Sequence, residues 1–221
     1  SLANHIRMWA GLPVRASRRP LAKMTKIVHP QTPDAVVQVA HTLRSGRLAI
    51  IPNGSIYVFF GLSLPETVVT KSDVRFQINK VKLRHPLLPV VHLSESPEDL
   101  FRSITKPATR LSLAALAHHF RPIGFLLPRR LRGRTMHVLY GDEFVRNLQE
   151  HLREALGAPP RLFVSSANFT TMGAHKSVSG VIRDFGDHEA VGAIVDGGSL
   201  SLDGQANNST TIIEITRDQH L

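Results

Sequence analysis

The chain has 221 residues, enough for one sizeable domain with or without extensions. Apolar residues make up 42% of it, and no apolar run approaches the roughly 20 residues that a membrane-spanning helix needs. The absence of cysteine excludes disulfide bonds, thiolate zinc sites and a cysteine nucleophile. A formal net charge of +10 favours polyanionic partners such as RNA, DNA or nucleotide phosphates.

The basic excess is concentrated at the start of the chain, where residues 1–33 contain six lysines and arginines and no acidic residue. This composition resembles a mitochondrial transit segment. The alternative that we favour is a basic arm that packs on the domain or touches nucleic acid. We therefore predict a basic N-terminal extension over residues 1–29 and a folded domain over residues 30–221. We expect a cytoplasmic protein, or a mitochondrial one if the extension is a targeting segment.

Turn residues and hydrophobic spacing predict an alternation of helices and strands. The first helix spans residues 32–45, because Pro33 suits the first helical position and Gly46 can end a helix. A buried strand follows over residues 47–51, and it stops at the polar turn Pro52-Asn53-Gly54. This order of helix, glycine turn, strand and polar turn is typical of α/β proteins.

The rest of the chain continues the alternation. Asp142 can cap a helix over residues 142–156, and Gly157 can end it. Weaker patterns predict a helix over residues 67–71 and a strand over residues 76–83. The remaining predictions are strands over 87–93, 123–127, 135–140, 161–165, 190–195 and 210–215 and helices over 96–104, 108–120 and 177–185. The elements together predict a single α/β (α+β) domain with a twisted mixed sheet and a concave basic face.

A basic cluster lies within the weaker strand prediction. Lys80, Lys82 and Arg84 place three cations in five residues, directly before Pro86. Cations at this spacing repel each other unless they share an anion, and phosphate suits both side-chain types. If the segment is a strand, all three cations lie on one face. The alternative interpretation is a solvated basic strand or helix end.

Two polar turns follow or precede apolar strands, at Ser165-Ser166-Ala167-Asn168 and at residues 208–211. Open α/β sheets bind ligands at the carboxyl ends of their strands. Asn168 supplies a donor and an acceptor, and the hydroxyls of Ser166, Ser209 and Thr210 can orient a phosphate or a carboxylate. The alternative interpretations are a helix N-cap turn at Ser166 and a plain turn into the last strand.

The order of these motifs resembles that of the Sua5/YciO/YrdC family, the threonylcarbamoyl-AMP synthase type, over residues 30–215. The matching pieces are Pro52-Asn53-Gly54-Ser55 with Tyr57, Lys82-x-Arg84 with Pro86-Leu87, Ser166-Ala167-Asn168, and Ser209-Thr210 after a glycine-rich loop. The chain departs from the family at three places. Asn53 replaces a threonine, Gly61-Leu62 comes two residues late, and Leu139 and Gly141 stand where the family has an arginine-x-proline strand.

The resemblance implies a YrdC-like domain that condenses threonine or another amine, bicarbonate and ATP into a carbamoyl-adenylate, with Mg²⁺ present and pyrophosphate released. It implies catalytic roles for Lys82 and Arg84. The implied nucleotide-binding residues are Lys80, Ser166, Asn168, Ser209 and Thr210, and the implied amine-binding residues are Asn53, Ser55 and Tyr57. The alternative function is a non-catalytic protein of the same fold that binds tRNA or double-stranded RNA. We predict no metal centre and no membrane partner, and the sequence leaves the oligomeric state open.

Overall fold

The computed structural model describes residues 24–64, 73–101, 107–119, 123–128, 134–139, 142–200 and 211–215. Within these ranges the strands are β1 (Lys26–Val28), β2 (Leu48–Asn53), β3 (Ile56–Leu62), β4 (Val91–Leu93), β5 (Ile123–Pro128), β6 (Arg134–Leu139), β7 (Leu162–Ser166), β8 (Val191–Val195) and β9 (Thr211–Glu214). The helices are α1 (Ala35–Arg44), α2 (Val74–Val81), α3 (Pro97–Phe101), α4 (Pro107–His119), α5 (Glu143–Leu156) and α6 (Val178–Phe185). None of these helices is both long and apolar enough to cross a membrane.

All the described strands belong to one mixed sheet, in the order β1-β8-β2-β3-β7-β4-β6-β5-β9. Strand β2 pairs in parallel with β8 and antiparallel with β3, and β3 pairs antiparallel with β7. Strands β2, β7 and β8 therefore run in the same direction, and their carboxyl ends meet at one edge of the sheet. The mixed sheet with its helices confirms the predicted α/β class.

A tight hairpin joins β2 to β3 at this edge. Asn53 pairs with Ile56, which leaves Gly54 and Ser55 as the two loop residues. Gly54 has a φ of 59°, whereas Ser55 has no positive φ. This is the pattern of φ angles in a type II′ turn, which has glycine at its first loop position. The polar turn predicted at residues 52–54 is therefore the hairpin, although β2 continues through Asn53.

Alternate side chains of each central strand point to opposite faces of the sheet. Helices cover both of these faces. Helices α1 and α5 pack on one face, where Phe60 lies in the same apolar cluster as Leu43 and Leu148. Helices α2 and α6 pack on the other face, where Phe59 contacts Phe185 edge to face at 4.9 Å. A third apolar cluster, under α3 and α4, extends the core toward β5.

The α5 helix was predicted with its caps, and the structure confirms them. The Asp142 side chain accepts a hydrogen bond from the backbone N–H of Val145 at 3.2 Å. Gly157 ends the helix in the left-handed region with a φ of 66°. The carboxylate at the first turn and the glycine after the last turn satisfy groups that the helix itself cannot pair.

The strand predicted over residues 76–83 is wrong, because most of this segment belongs to α2. Asp73 caps the helix by accepting from the backbone N–H of Arg75 at 2.9 Å. Val74, Ile78 and Val81 are buried against the sheet. Their spacing of four and three residues is helical.

Strand β4 is shorter than the strand predicted over residues 87–93. Leu87 and Leu88 are 73% and 44% exposed and lie outside the sheet. The carbonyl of Leu88 accepts instead from the side chain of Asn79 at 2.9 Å. Because a side chain satisfies this backbone group, the leucines form a loop that leads from α2 to the sheet.

The sheet also begins earlier than predicted, because β1 lies within residues 1–29. Ile27 pairs with Ile194 of β8, and the Thr25 hydroxyl donates to the Val191 carbonyl at 3.0 Å. The predicted boundary at residue 30 therefore falls after the first strand. The rest of the predicted extension, residues 1–23, and the helix predicted over 67–71 lie outside the described residues.

Two histidines lie side by side in the sheet, between the clusters under α2 and under α3 and α4. His92 of β4 is the cross-strand partner of His137 of β6, and their ring centroids are 5.1 Å apart. The Ser94 hydroxyl lies 3.0 Å from Nδ1 of His137. Burial, assisted by His92, lowers the pKa of His137 to about 4. Burial, followed by the charge of Arg161, lowers the pKa of His92.

We expect the free energy of unfolding to fall as the pH drops from about 6.5 through 4, because the unfolded chain binds protons more readily than the half-buried His92 and His137 do. The contribution of His137 is on the order of 3 kcal/mol at most. Urea unfolding at several pH values in this range should show a shallower pH dependence for His137→Gln than for the unchanged chain. His41→Gln, at an exposed position of α1, is the matched control. Equal pH dependence in all three proteins would contradict the assignment.

Candidate functional site

Lys82 forms the centre of the candidate site, at the C-terminal end of α2. The residue is only 3% exposed. Its Nζ donates to the Ser166 carbonyl, to Asn168 Oδ1 at 2.9 Å and to Ser166 Oγ at 3.3 Å. Ser166 ends β7, so the contacts join the helix to the carboxyl edge of the sheet. The structure thus brings Lys82 together with two predicted site residues, Ser166 and Asn168, that lie more than 80 positions later in the sequence.

The Ser166-Ala167-Asn168 turn is held by its own side chains. Ser166 Oγ donates to Asn168 Oδ1 at 2.6 Å. Asn168 Nδ2 donates to the carbonyl of Phe169 at 2.9 Å and to that of Met172. The amide of Asn168 therefore fixes the turn with its donors and receives Lys82 with its acceptor.

The electrostatic environment of Lys82 is unusual for a lysine. Burial, together with the nearby charge of Arg84, lowers its pKa to about 8. Its hydrogen-bond partners in the described part of the chain are all neutral oxygens. Its Nζ also lies 6.0 Å from the centre of the Phe59 ring. A buried cation with neutral partners attracts an anion strongly, because solvent screens its charge very little.

Arg84 follows Lys82 and is tied to the loop that leads toward β4. Its Nε donates to Asn79 Oδ1, and one terminal nitrogen donates to the Pro89 carbonyl at 3.4 Å. These two bonds use two of the five N–H groups of the guanidinium. Burial lowers the pKa of Arg84, but an arginine remains charged at any physiological pH.

Asn79 supports the site, although it is not among the site residues predicted from the sequence. It is fully buried, and its Nδ2 donates to the carbonyls of Pro86 and Leu88 at 2.7 and 2.9 Å. Because Asn79 Oδ1 also accepts from Arg84, the Asn79 side chain binds three residues of the segment after α2. The available signal was a polar residue beside Ile78 on a helix face that is otherwise apolar.

The backbone turns sharply between Lys82 and Arg84. Leu83 adopts a φ of 53° and is 77% exposed. A leucine in this left-handed region is uncommon and is held there by its surroundings. Thr170 provides part of that constraint, because its backbone N–H and its hydroxyl donate to the Lys82 carbonyl at 3.2 and 3.0 Å.

The predicted row of three cations is wrong. Residues two apart on a helix point about 200° around its axis from each other. Lys80 is therefore exposed on the other side of α2, where it lines a separate cleft. Lys82 points to the sheet, and Arg84 is bound to Asn79.

The predicted amine-binding residues lie near the same edge, because Val58 of β3 pairs with Ser166. Asn53 is 7% exposed, and Ser55 is half-buried in the hairpin. Tyr57 is fully buried, and its hydroxyl donates to the Gly198 carbonyl at 2.9 Å and accepts from the Gly197 N–H at 3.1 Å. Burial raises the pKa of Tyr57. The phenol thus positions the turn at residues 197–198.

Two predicted site residues, Ser209 and Thr210, lie outside the described residues, and so does Gly141. Leu139 is described, and it is 1% exposed in the apolar cluster with Phe101 and Phe125. An apolar side chain in this cluster is consistent with the missing arginine, since a cation there would be buried among hydrocarbon groups.

The arrangement of strands and helices in the described residues is similar to that of several solved structures, which include Sua5 and YciO. Comparison with solved structures finds P. abyssi Sua5 with a TM-score of 0.65, at 21% identity over 87% of this chain. E. coli YciO gives a TM-score of 0.62 at 17% identity, with 88% of this chain and 91% of YciO covered. A full-length HypF gives 0.55 at 12% identity, with 75% of this chain and 25% of HypF covered. The predicted resemblance is confirmed at the level of the fold.

The similarity to P. abyssi Sua5 extends over only part of that protein. The chain spans 57% of the length of P. abyssi Sua5 in the first of these structures. A second structure, of P. abyssi Sua5 complexed with L-threonine, gives a TM-score of 0.63, and the chain spans 54% of its length. No protein-family model and no curated protein matches the sequence. Because the identities are low, the shared feature is the arrangement of strands and helices, and the function has to be argued from the site.

We expect Asn79→Ala to lower the free energy of unfolding by about 2–3 kcal/mol, because buried carbonyls and an arginine N–H lose their partner. Asn147→Ala, at an exposed position of α5, is the matched control and should change stability far less. Urea unfolding measures the loss, and amide hydrogen exchange should show reduced protection over residues 82–89. A loss of stability without a local change in exchange would contradict the role assigned to Asn79.

Proposed function

We propose that this chain is a divergent member of the Sua5/YciO/YrdC family and acts as a threonylcarbamoyl-AMP synthase-like nucleotidyltransferase. The observation that carries the proposal is the contact of the buried Lys82 ammonium with Ser166 and Asn168 at the carboxyl edge of the sheet. Ligands of open α/β sheets bind at such an edge. The triphosphate of ATP is an anion of the kind that this buried cation attracts.

The ligands of two structural neighbours support the proposal. One structure of P. abyssi Sua5 is complexed with L-threonine, and the HypF structure is a phosphate- and nucleotide-bound form. Those ligands belong to the proteins in which they were observed. An amino acid and a nucleotide are, however, two of the three reactants that the proposed reaction combines.

The proposed reaction begins with an amine and bicarbonate, which give a carbamate and water. A carboxylate oxygen of the carbamate then attacks the α-phosphorus of ATP. The bond from this phosphorus to the oxygen that bridges to the β-phosphorus breaks, and pyrophosphate leaves with the bonding electrons. No residue of the chain has to act as a nucleophile, so its contribution is positioning and charge stabilisation.

Lys82 and Arg84 supply the charge in this scheme. The contact of Lys82 Nζ with Ser166 Oγ, at 3.3 Å, is longer than that with Asn168 Oδ1 and is the one that a phosphate oxygen replaces most readily. Arg84 retains three N–H groups beyond its bonds to Asn79 and Pro89. Ser166 and Asn168 act mainly through Lys82, because they hold its ammonium in place.

Mg²⁺ usually binds to proteins through one or two carboxylates together with the phosphates of a nucleotide. Among the described residues no group of three or more histidine or carboxylate side chains could hold a metal ion. The cations Lys82 and Arg84 fit the phosphates of ATP, and the ion would enter the site with ATP. For the amine, Asn53 and Ser55 lie on the hairpin at the same edge, and the substrate is threonine or another amine.

We expect the full chain, mixed with ATP, bicarbonate, Mg²⁺ and one amino acid at a time, to release pyrophosphate with at least one of them. Lys82→Met should reduce the rate roughly 10- to 150-fold, since a charge-assisted contact is worth about 1.5–3 kcal/mol. Arg44→Ala, which removes an exposed cation of α1, should leave the rate unchanged.

No release with any amino acid, together with no ATP binding by calorimetry, would reject the enzyme proposal. The net charge of +10 then favours the second candidate, a non-catalytic protein that binds tRNA or double-stranded RNA. Such binding should weaken steeply with salt and persist in Asn168→Ala, because contacts to the phosphate backbone dominate it. ATP binding should instead be lost in Asn168→Ala.

The affinity for ATP should also depend on pH. The free protein loses the Lys82 charge as the pH rises through about 8, so the affinity should be constant near pH 7 and fall above pH 8. Calorimetry at several pH values measures this, with proton uptake on binding at the higher values. Lys82→Met should bind weakly at every pH. An equal decline in this variant would show that another group causes the pH dependence.

A further inference from the structure

The turn after β7 holds Lys82 at two separate points. Ser166 and Asn168 accept hydrogen bonds from the ammonium at the end of the side chain. Two residues further along, Thr170 binds the backbone carbonyl of Lys82, with its N–H at 3.2 Å and its hydroxyl at 3.0 Å. One short segment, residues 166–170, therefore fixes both ends of the same lysine.

Helix α2 itself does not hold this carbonyl. Lys82 is the residue that follows the last turn of α2, where a helix has no N–H of its own left to donate. The chain turns away at Leu83, and the next two backbone N–H groups donate to the earlier carbonyls of Lys80 and Asn79. In the described part of the chain, Thr170 supplies both hydrogen bonds that the Lys82 carbonyl receives.

The Thr170 hydroxyl can be removed without disturbing the core. Thr170 is an exposed residue, and its contact with the Lys82 carbonyl is only partly buried. Valine has nearly the same shape as threonine and keeps the backbone N–H, so Thr170→Val deletes one of the two hydrogen bonds. Changes at exposed positions usually have small effects on stability. A functional role of the hydroxyl can therefore be separated from a role in folding.

We propose that Thr170 is a positioning residue of the anion site, and that its hydroxyl keeps the Lys82 ammonium against Ser166 and Asn168. Without this bond the end of α2 can move, and the ammonium then moves from the sheet edge toward water. Water screens a solvated ammonium more than a buried one, so its attraction for an anion falls. Where the anion is ATP, the inference rests on the proposed function. The effect on the ammonium itself does not.

The pKa of Lys82 is the direct measure of this positioning. Burial is the main cause that lowers it to about 8 from an ordinary value of 10.5, and the charge of Arg84 is the second cause. We expect Thr170→Val to raise the pKa toward the ordinary value, because the ammonium becomes more solvated. Thr170→Ser keeps the hydroxyl and should keep the pKa near 8. NMR titration of the full chain with ¹³C-labelled lysine measures these values, and the signal that is missing in Lys82→Met identifies Lys82.

Calorimetry with ATP gives the second measurement. Thr170→Val should weaken binding at pH 7 roughly 2- to 10-fold, as expected for the loss of one hydrogen bond. The affinity of this variant should also begin to fall at a higher pH than that of the unchanged chain. Thr171→Val is the matched control, because Thr171 is exposed and its side chain makes no hydrogen bond to a described residue. It should change neither the affinity nor the pKa of Lys82.

An unchanged Lys82 pKa in Thr170→Val would overturn the proposal. An equal change in Thr171→Val or in Thr170→Ser would overturn it as well, since the effect would not then come from the Thr170 hydroxyl. If the unchanged chain binds no ATP, the proposed function fails, and the comparison of Lys82 pKa values alone decides the role of Thr170.

Discussion

The contact of the Lys82 ammonium with Ser166 and Asn168 is the interaction on which the candidate site depends. An ammonium group that is removed from water is costly unless each of its protons meets an acceptor. Three neutral oxygens satisfy it here, and they belong to the turn that ends β7. This requirement fixes the end of α2 against the sheet edge. It places a positive charge there that no carboxylate of the described residues contacts.

The loop after α2 holds Lys82 and Arg84 in these positions. The chain must turn between Lys82 and Arg84, and Leu83 does so in a left-handed conformation. Asn79 then binds the backbone of the following residues, and Thr170 binds the Lys82 carbonyl. A buried polar group that is fully paired specifies one arrangement of the chain, because every alternative leaves a donor or an acceptor unpaired. The strain at Leu83 is thus offset by bonds made several residues away.

Sequence reasoning succeeded where the local signals were consistent with each other. The α5 helix was predicted with its caps because Asp142, Gly157 and an apolar stripe all indicate the same limits. Ser166 and Asn168 were predicted to lie at a ligand site because open sheets bind ligands at the carboxyl ends of their strands. The family resemblance placed Lys82 in the same site.

The failures have equally specific causes. The segment over residues 76–83 was assigned as a strand, although Val74, Ile78 and Val81 follow a helical spacing that begins before it. This error placed Lys80 on the same face as Lys82. Asn79 was missed because its role is tertiary, and nothing in the local pattern shows which carbonyls it will meet. The edge strand β1 is only three residues long and begins within a basic segment, so it has little periodicity to detect.

The helical form of α2 also explains why one cluster of cations produces two surfaces. On a strand, Lys80, Lys82 and Arg84 would have pointed the same way and repelled each other around one ligand. The helix and the turn after it separate them instead, with Lys80 toward one cleft and Lys82 toward the sheet edge. Leu139 lies in an apolar cluster, at the place where the family that the sequence resembles has an arginine. In the proposed function, Lys82 and Arg84 are therefore the cations left for a nucleotide among the described site residues. When a site holds fewer charges, its attraction for an anion depends more strongly on the burial of each charge. Solvent screens a buried ammonium less than an exposed one.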